Sequence, residues 1–296
     1  MSEINHKAGY VNIIGKPNVG KSTLMNALLG EKLSIISSKA QTTRHRILGI
    51  MNEPDYQIVF SDTPGMLKPK YELHKSMMGF VNLSLEDADV IVFVTDLFET
   101  DEDIEEIIKK INKAGVPVLL VINKIDLNKE GKLEEVMAYW TERLQVTTVI
   151  PISALENFNL TKILQEILDR LPLHPPFYDK EELSDRPERF FASEIIREKI
   201  FTQYKKEIPY STEVSIEEFE ETDKIIRMRA LIFVERVSQR GIIIGDQGKA
   251  LKKVGTAARL DLEKFFGKKV FLETFVKVEE NWRKNKSKLK KFGYDQ

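Results

Sequence analysis

The sequence predicts an α/β unit, a mixed six-stranded sheet with helices on both faces, followed by a smaller α+β unit. Three observations carry that prediction. Over residues 9–173 short apolar runs alternate with amphipathic stretches, the pattern of helices packed on a mostly parallel sheet. From Leu171 to Asp185 the text is LPLHPPFYDKEELSD, with Pro172, Pro175 and Pro176 and no apolar periodicity, so a connector is expected there. Charge is also divided unevenly: residues 1–185 carry 20 basic and 28 acidic side chains, whereas residues 186–296 carry 25 and 18. The net charges of −8 and +7 make the second part, not the first, the one that attracts polyanions.

Strands are expected near 9–14, 46–51, 56–61, 90–95, 117–122 and 148–152. The second and third are separated only by Asn52, Glu53 and Pro54, which predicts a hairpin and makes the sheet mixed. Helices are expected near 21–29, 73–86, 101–114, 132–144 and 159–170, with Gly30 and Gly115 where helix C-caps belong. Beyond the connector the pattern predicts a helix over 187–206 and strands over 211–219 and 225–236. A turn, a helix over 248–265, a strand over 269–278 and a basic helix from about 281 follow. The domains are therefore expected at 1–173 and 187–296, with a linker over 174–186.

Composition removes several classes. A hydrophobic fraction of 42% and a charged fraction of 31% suit a folded soluble protein. No apolar run approaches the roughly 20 residues of a membrane span. The opening MSEINHKAGY has no basic region followed by an apolar core, so a cytoplasmic location is expected. With no Cys and four scattered His, disulfides, thiolate chemistry and a zinc site are not expected.

The residues Gly15, Lys16, Pro17, Asn18, Val19, Gly20, Lys21, Ser22 and Thr23 follow the apolar run YVNII and open a helix. Their first eight match G-x-x-x-x-G-K-[ST] in full. The glycines let the backbone curl so that successive N–H groups and the helix N-terminus face phosphates. Lys21 is placed to neutralise the β and γ phosphates, and the Ser22 hydroxyl to ligate Mg²⁺. Asp62-Thr63-Pro64-Gly65 ends the third strand, where the carboxylate can reach Mg²⁺ through water and the Gly65 N–H can meet the γ phosphate. Between them lies the polar, basic stretch SSKAQTTRHR. A hydroxyl from it would complete the Mg²⁺ shell only when the γ phosphate is present; Thr43 is the first choice and Thr42 the reserve.

Asn123-Lys124-Ile125-Asp126 follows the strand PVLLVI. The Asp126 carboxylate can accept from N1–H and the 2-amino group of guanine. Adenine has neither donor, so a carboxylate buried there favours GTP over ATP by a factor of order 10⁴. Asn123 and Lys124 would brace the loop and cover the base, while Ile152-Ser153-Ala154 would bring a backbone N–H near guanine O6.

GKPNVGKS, QTTRH, DTPG, NKID and ISA, in that order over residues 9–173, resemble the five signature elements of a P-loop GTPase of the translation-associated group. Two details bear on mechanism. Met66 stands where Ras-like GTPases carry the water-orienting Gln, and a thioether cannot orient water by hydrogen bonding. Asn18 matches the Asn that helps hold K⁺ near the β and γ phosphates in related potassium-dependent GTPases. K⁺ would then replace part of an arginine finger.

In the second part, Gly241–Leu251 reads GIIIGDQGKAL. Gly245-Asp246-Gln247-Gly248, set between strands and a helix in a segment of net +7, resembles the GxxG loop of a KH domain, which clamps about four nucleotides by close backbone approach. Ile244, Gly245, Asp246, Gln247, Gly248, Lys249, Lys252 and Lys253 are the candidate RNA-binding residues. Ile242, Ile243 and Ile244 are read as core rather than as a floor beneath bases. Asp246 departs from the pattern, since an acidic side chain weakens phosphate contact; the three lysines offset it. The order helix, strand, strand, helix, helix, strand is that of a type II KH domain. From Asn281 to Lys291, NWRKNKSKLKK holds six basic and no acidic residues, and with Trp282, Phe292 and Tyr294 it is read as a further phosphate-binding element.

Together these parts resemble the Era-like family of GTPases. The resemblance implies GTP hydrolysis with Mg²⁺, binding near the 3′ end of 16S ribosomal RNA, a role in small (30S) ribosomal subunit biogenesis, a monomer, and at most a peripheral encounter with the cell membrane. Two rivals remain open on the residues alone. One is an RNA-binding scaffold in which nucleotide is only structural, and the other is a P-loop ATPase or kinase acting on RNA.

Overall fold

The computed structural model describes residues 5–98, 104–129 and 131–294. The chain divides into two compact units, with Asp185 closing the first and Arg186 opening the second.

The first unit is built on a six-stranded sheet of β1 (Lys7–Ile14), β2 (Ile47–Asn52), β3 (Tyr56–Asp62), β4 (Val90–Asp96), β5 (Val118–Asn123) and β6 (Thr148–Pro151). Its order is β2-β3-β1-β4-β5-β6. Only the β2–β3 hairpin is antiparallel, so the sheet is mixed as expected. Every residue of β4 and β5 is buried, because helices cover both faces and the strands VIVFV and VLLVI need no polar side. The helices are α1 (Lys21–Leu29), α2 (Glu72–Glu86), α3 (Glu105–Lys113), α4 (Lys132–Arg143) and α5 (Leu160–Leu168). The first residues of the helix expected over 101–114 lie partly outside the described residues. Phe93 of β4 packs on Trp140 of α4 with ring centroids 4.8 Å apart, part of the core on that side of the sheet.

The Pro-bearing stretch is extended, but it is laid along the first unit. Gln57 of β3, fully buried, accepts from the Phe177 and Tyr178 N–H groups at 2.6 and 3.0 Å and donates to the Tyr178 carbonyl at 2.9 Å. The Leu183 carbonyl accepts from Ile50 N–H at 2.9 Å. The edge strand β2 is thereby paired instead of being left as a template for another chain.

The second unit contains α6 (Glu188–Gln203), the short α7 (Ile208–Ser211), β7 (Glu213–Glu221), β8 (Ile225–Val234), α8 (Val237–Ile244), α9 (Lys249–Phe266), β9 (Lys269–Val278) and a terminal α10 (Lys286–Lys291). β8 is central, antiparallel to β7 and parallel to β9. Ile196, Ile226, Ile232, Ile243, Val254 and Leu262 form its core between helices and sheet.

Two expectations need correction. The stretch before residue 248, read as a turn, is the helix α8 that the order helix, strand, strand, helix, helix, strand requires, and the three isoleucines read as core point in different directions: Ile243 is fully buried and Ile242 is half exposed. The tail aromatics are not displayed for stacking. Trp282 is fully buried with Nε1–H donating to the Ser211 carbonyl at 2.9 Å, and Tyr294 is buried with its hydroxyl donating to Glu213 Oε2 at 2.6 Å. They anchor the tail to the unit, and Arg283 and Lys288 are engaged by Glu235 and Glu279.

Candidate nucleotide site and RNA-binding loop

The parallel strands β1, β3, β4 and β5 all release their loops at the same edge of the sheet, the place where α/β folds bind ligands. A cavity of about 520 Å³ opens there. It is lined by Pro17, Asn18, Gly20, Lys21, Ser22 and Thr23 from the phosphate loop, by residues 35–39 and 41–43, and by Gly65, Asn123, Lys124 and Asp126.

At its phosphate end three oxygens converge. Ser22 Oγ donates to Asp62 Oδ2 at 2.6 Å and lies 2.9 Å from Thr43 Oγ1, which is itself 3.4 Å from the same carboxylate oxygen. Thr42, the reserve, instead donates to the Lys39 carbonyl at 2.6 Å. Asp62 is fully buried, and burial pushes its carboxyl above the ordinary range despite the hydroxyls and Lys21 nearby. Its Oδ1 has no hydrogen-bond partner. Hydroxyls and a carboxylate with an unspent oxygen suit a hard divalent cation such as Mg²⁺. Lys21 is buried and its Nζ donates to the carbonyls of Gly15 and Lys16 at 2.9 and 2.7 Å, an arch across the loop that keeps the ammonium beside the cavity. Met66 is buried and belongs to the same core cluster as Ile14, Phe93 and Leu97.

At the base end the loops are fastened to each other. Asn123 Nδ2 donates to the Val19 carbonyl and its Oδ1 accepts from the Ala154 N–H, both at 2.9 Å. Of the N–H groups of residues 152–154, one of which is expected near guanine O6, that of Ala154 is engaged within the protein. Ser153 Oγ donates to Asp126 Oδ1 at 2.6 Å, orienting the carboxylate. Asp126 is exposed, not buried as its expected role implies. Lys124 reaches the Asn18 carbonyl at 2.7 Å and Asp96 Oδ2 at 2.5 Å. Sequence reasoning missed Asp96, a lone acid at a strand end. It also missed Ile36, Leu127 and Leu155, exposed apolar residues that line the cavity, although the last two directly follow NKID and ISA.

In the second unit, Gly245 joins α8 to the loop with φ 69°, and a Cβ there would fall 2.6 Å from that of Ala250. Only glycine fits this backbone at this approach. Gln247 and Gly248 also have positive φ, which turns the loop tightly into the N-terminus of α9. Asp246 is paired with Lys249 at 3.0 Å, so that lysine offsets the acid directly. Lys252 and Lys253 are exposed and share an open groove on α9 with Thr256 and Leu260.

A phosphate loop with convergent Mg²⁺-type oxygens and a guanine-type loop on the same sheet edge, joined to an α-β-β-α-α-β unit with a glycine-rich loop, define a P-loop GTPase carrying a type II KH domain. Residues 10–124 match the family described as 50S ribosome-binding GTPase, and residues 207–283 match the KH domain. The chain is 46% identical to GTPase Era of Geotalea daltonii over the whole of both chains. It is 48% identical to the chloroplastic GTPase ERA1 of Zea mays, over 98% of this chain and 71% of that one. Among solved structures it is similar to Era in complex with MgGDPNP and nucleotides 1506–1542 of 16S ribosomal RNA. The TM-score is 0.93 at 42% identity, covering 98% of this chain and all of that one. A tyrosine-to-alanine variant of Aquifex aeolicus Era bound to GDP.AlF4- gives 0.92 at 41%, with the same coverage. The chain belongs to the GTPase Era family, and it is an enzyme that hydrolyses GTP to GDP and phosphate.

Proposed function

We propose that this chain is a GTP-driven switch whose nucleotide state controls docking of its KH unit near the 3′ end of 16S ribosomal RNA, in small (30S) subunit biogenesis. The observation that carries the switch is the meeting of Ser22, Thr43 and Asp62. Thr43 belongs to the polar stretch between the first two motifs. A cation shared by Ser22, Thr43 and the γ phosphate therefore makes the position of that stretch depend on whether the third phosphate is present. The RNA half is supported by the solved Era complex with the 16S segment and by the glycine-only geometry of the loop at Gly245.

In hydrolysis the residues act mainly by position and charge. Lys21 binds the β and γ phosphates, and the N–H groups of the phosphate loop, all but that of Pro17, which has none, together with that of Gly65 face the oxygens on which charge develops. Ser22 and Thr43 hold Mg²⁺, with Asp62 reaching it through water; bound Mg²⁺ supplies charge neutralisation at the β and γ phosphates. Met66 cannot orient the attacking water, and the resemblance at Asn18 supports a scheme in which K⁺ would sit beside the phosphates. Equal GTPase rates in KCl and NaCl at the same ionic strength would remove K⁺ from this scheme. Asp126 selects guanine, with Asn123, Lys124, Ser153 and Ala154 fixing its loop.

In this role the chain acts as a monomer in the cytoplasm, and its encounter with the inner face of the cell membrane is peripheral. No helix among the described residues is long and apolar enough to cross a membrane. The test is binding of a short strand copying the 16S 3′ end, against a scrambled strand, with a non-hydrolysable GTP analogue and then with GDP. Tighter, sequence-selective binding in the GTP state is expected. Equal binding of both strands in both states would leave a GTPase with a generic basic unit.

A further inference from the structure

Lys124 sits in the left-handed region, φ 64°, at the start of the 3-10 turn that carries Asp126. Its ammonium is held from two sides: by the Asn18 carbonyl at 2.7 Å and by Asp96 Oδ2 at 2.5 Å. The Asp96 side chain is only 7% exposed. Its other oxygen accepts from the Phe98 N–H at 2.9 Å, so the carboxylate is locked by its own strand end before it meets the lysine. A carboxylate that deeply placed requires a cation, and the one the fold supplies is Lys124.

We propose that Asp96 is a positioning residue for guanine-nucleotide binding: it holds Lys124 across from Asn18 so that the base loop and the phosphate loop form one preorganised wall. The inference rests on the assignment of residues 123–126 as the guanine loop. A lysine side chain free to rotate would lose its freedom only when nucleotide arrives, weakening binding; Asp96 removes that freedom during folding. The contribution is the same for GDP and GTP, because neither Asp96 nor its contact with Lys124 involves the γ phosphate. It therefore acts on affinity and not on the chemical step, which is uniform binding.

The test compares the full chain with Asp96→Asn, Asp96→Glu, Lys124→Ala and the double variant Asp96→Asn/Lys124→Ala. Readouts are GDP and GTP-analogue affinity, kcat at saturating GTP, and nucleotide-free melting temperature. Asp96→Asn is expected to weaken both nucleotides alike by about tenfold, the scale of one charge-assisted hydrogen bond, through faster release. Its kcat should stay within roughly twofold of the parent. The double variant should bind no worse than Lys124→Ala alone, since both changes remove one interaction. Asp96→Glu, which keeps the charge, should recover part of the affinity. Additive losses, an Asp96→Glu no better than Asp96→Asn, or a melting temperature and kcat that fall with affinity would overturn the inference. So would parental affinity in Asp96→Asn while Lys124→Ala is weak. Parental GDP affinity in Lys124→Ala itself would instead overturn the guanine-loop assignment beneath it.

Discussion

The side-chain amide of Asn123 stands so close to Gly20 that a Cβ on the glycine would fall 2.2 Å from Nδ2. Gly20 also has φ 99°, which an L side chain rarely adopts. The phosphate loop and the guanine loop are thus interlocked through a missing side chain. Gly20→Ala should cost roughly 2–4 kcal/mol of stability in denaturant unfolding, from backbone strain and displacement of Asn123. GDP affinity should fall with it, because Asn123 is the tie to Val19 and Ala154.

Asp126→Asn keeps the Ser153 contact within reach but removes the charge proposed to read the two guanine donors. The preference for GTP over ATP should drop by about a hundredfold or more in competition binding. Retained selectivity would place base recognition elsewhere in the cavity.

Asp62 gives a pH signature. Burial raises its carboxyl pKa in the folded protein, so folding takes up a proton there. Stability contributed by this group is gained as pH falls through the raised value and lost again above it. Without nucleotide and with a chelator present, Asp62→Asn should flatten that component of the stability-versus-pH curve. In the same variant, Mg²⁺ should tighten GTP binding less than in the parent, since Ser22 and Thr43 remain. An unchanged curve would mean that the buried charge is compensated by its neighbours.

On the RNA side, Lys252→Ala should weaken binding of the 16S-type strand about equally to any sequence and reduce the salt slope by about 0.7, one phosphate contact on a single strand. Gly248→Asp adds an acid where the φ of 77° already disfavours a side chain. It should weaken RNA binding at least about tenfold.

The tail anchors should matter to stability. Trp282→Ala empties a fully buried site and should cost about 3–5 kcal/mol of the second unit's unfolding free energy. Tyr294→Phe removes the hydroxyl from Glu213 and leaves a buried carboxylate oxygen short of its donor, at about 1–3 kcal/mol.

The strings that make up the candidate nucleotide site can be read in the sequence because their chemistry is local. A run of eight residues must be contiguous to wrap a phosphate, and Asp62, Asn123 and Ser153 each mark the end of a readable apolar strand. What the text left open were contacts set by three-dimensional placement. Thr42 and Thr43 are chemically alike in sequence and differ only in what they face, the Lys39 carbonyl or Ser22 and Asp62. Asp96 looks like any acid after a strand until Lys124, 28 residues on, is brought to it. The helix α8 was hard to place because three consecutive isoleucines carry strand propensity and Gly241 disfavours helix, and packing of Ile243 into the core overrides both. The tail shows the same effect in reverse: its charges are conspicuous, while the burial of Trp282 and Tyr294 depends on Ser211 and Glu213, far away in the chain.

The parallel pairing of β8 with β9 has a temporal consequence. Ile225 opposes Lys269, so the central strand of the second sheet gains its second neighbour only after two helices and the loop between them have been made. Parallel register across such a separation cannot be nucleated by a tight turn, and closing it is slow relative to hairpin formation. As the chain emerges from synthesis, the nucleotide unit has all its strands before the RNA unit has its sheet. A nascent chain should therefore hold guanine nucleotide before it can hold RNA.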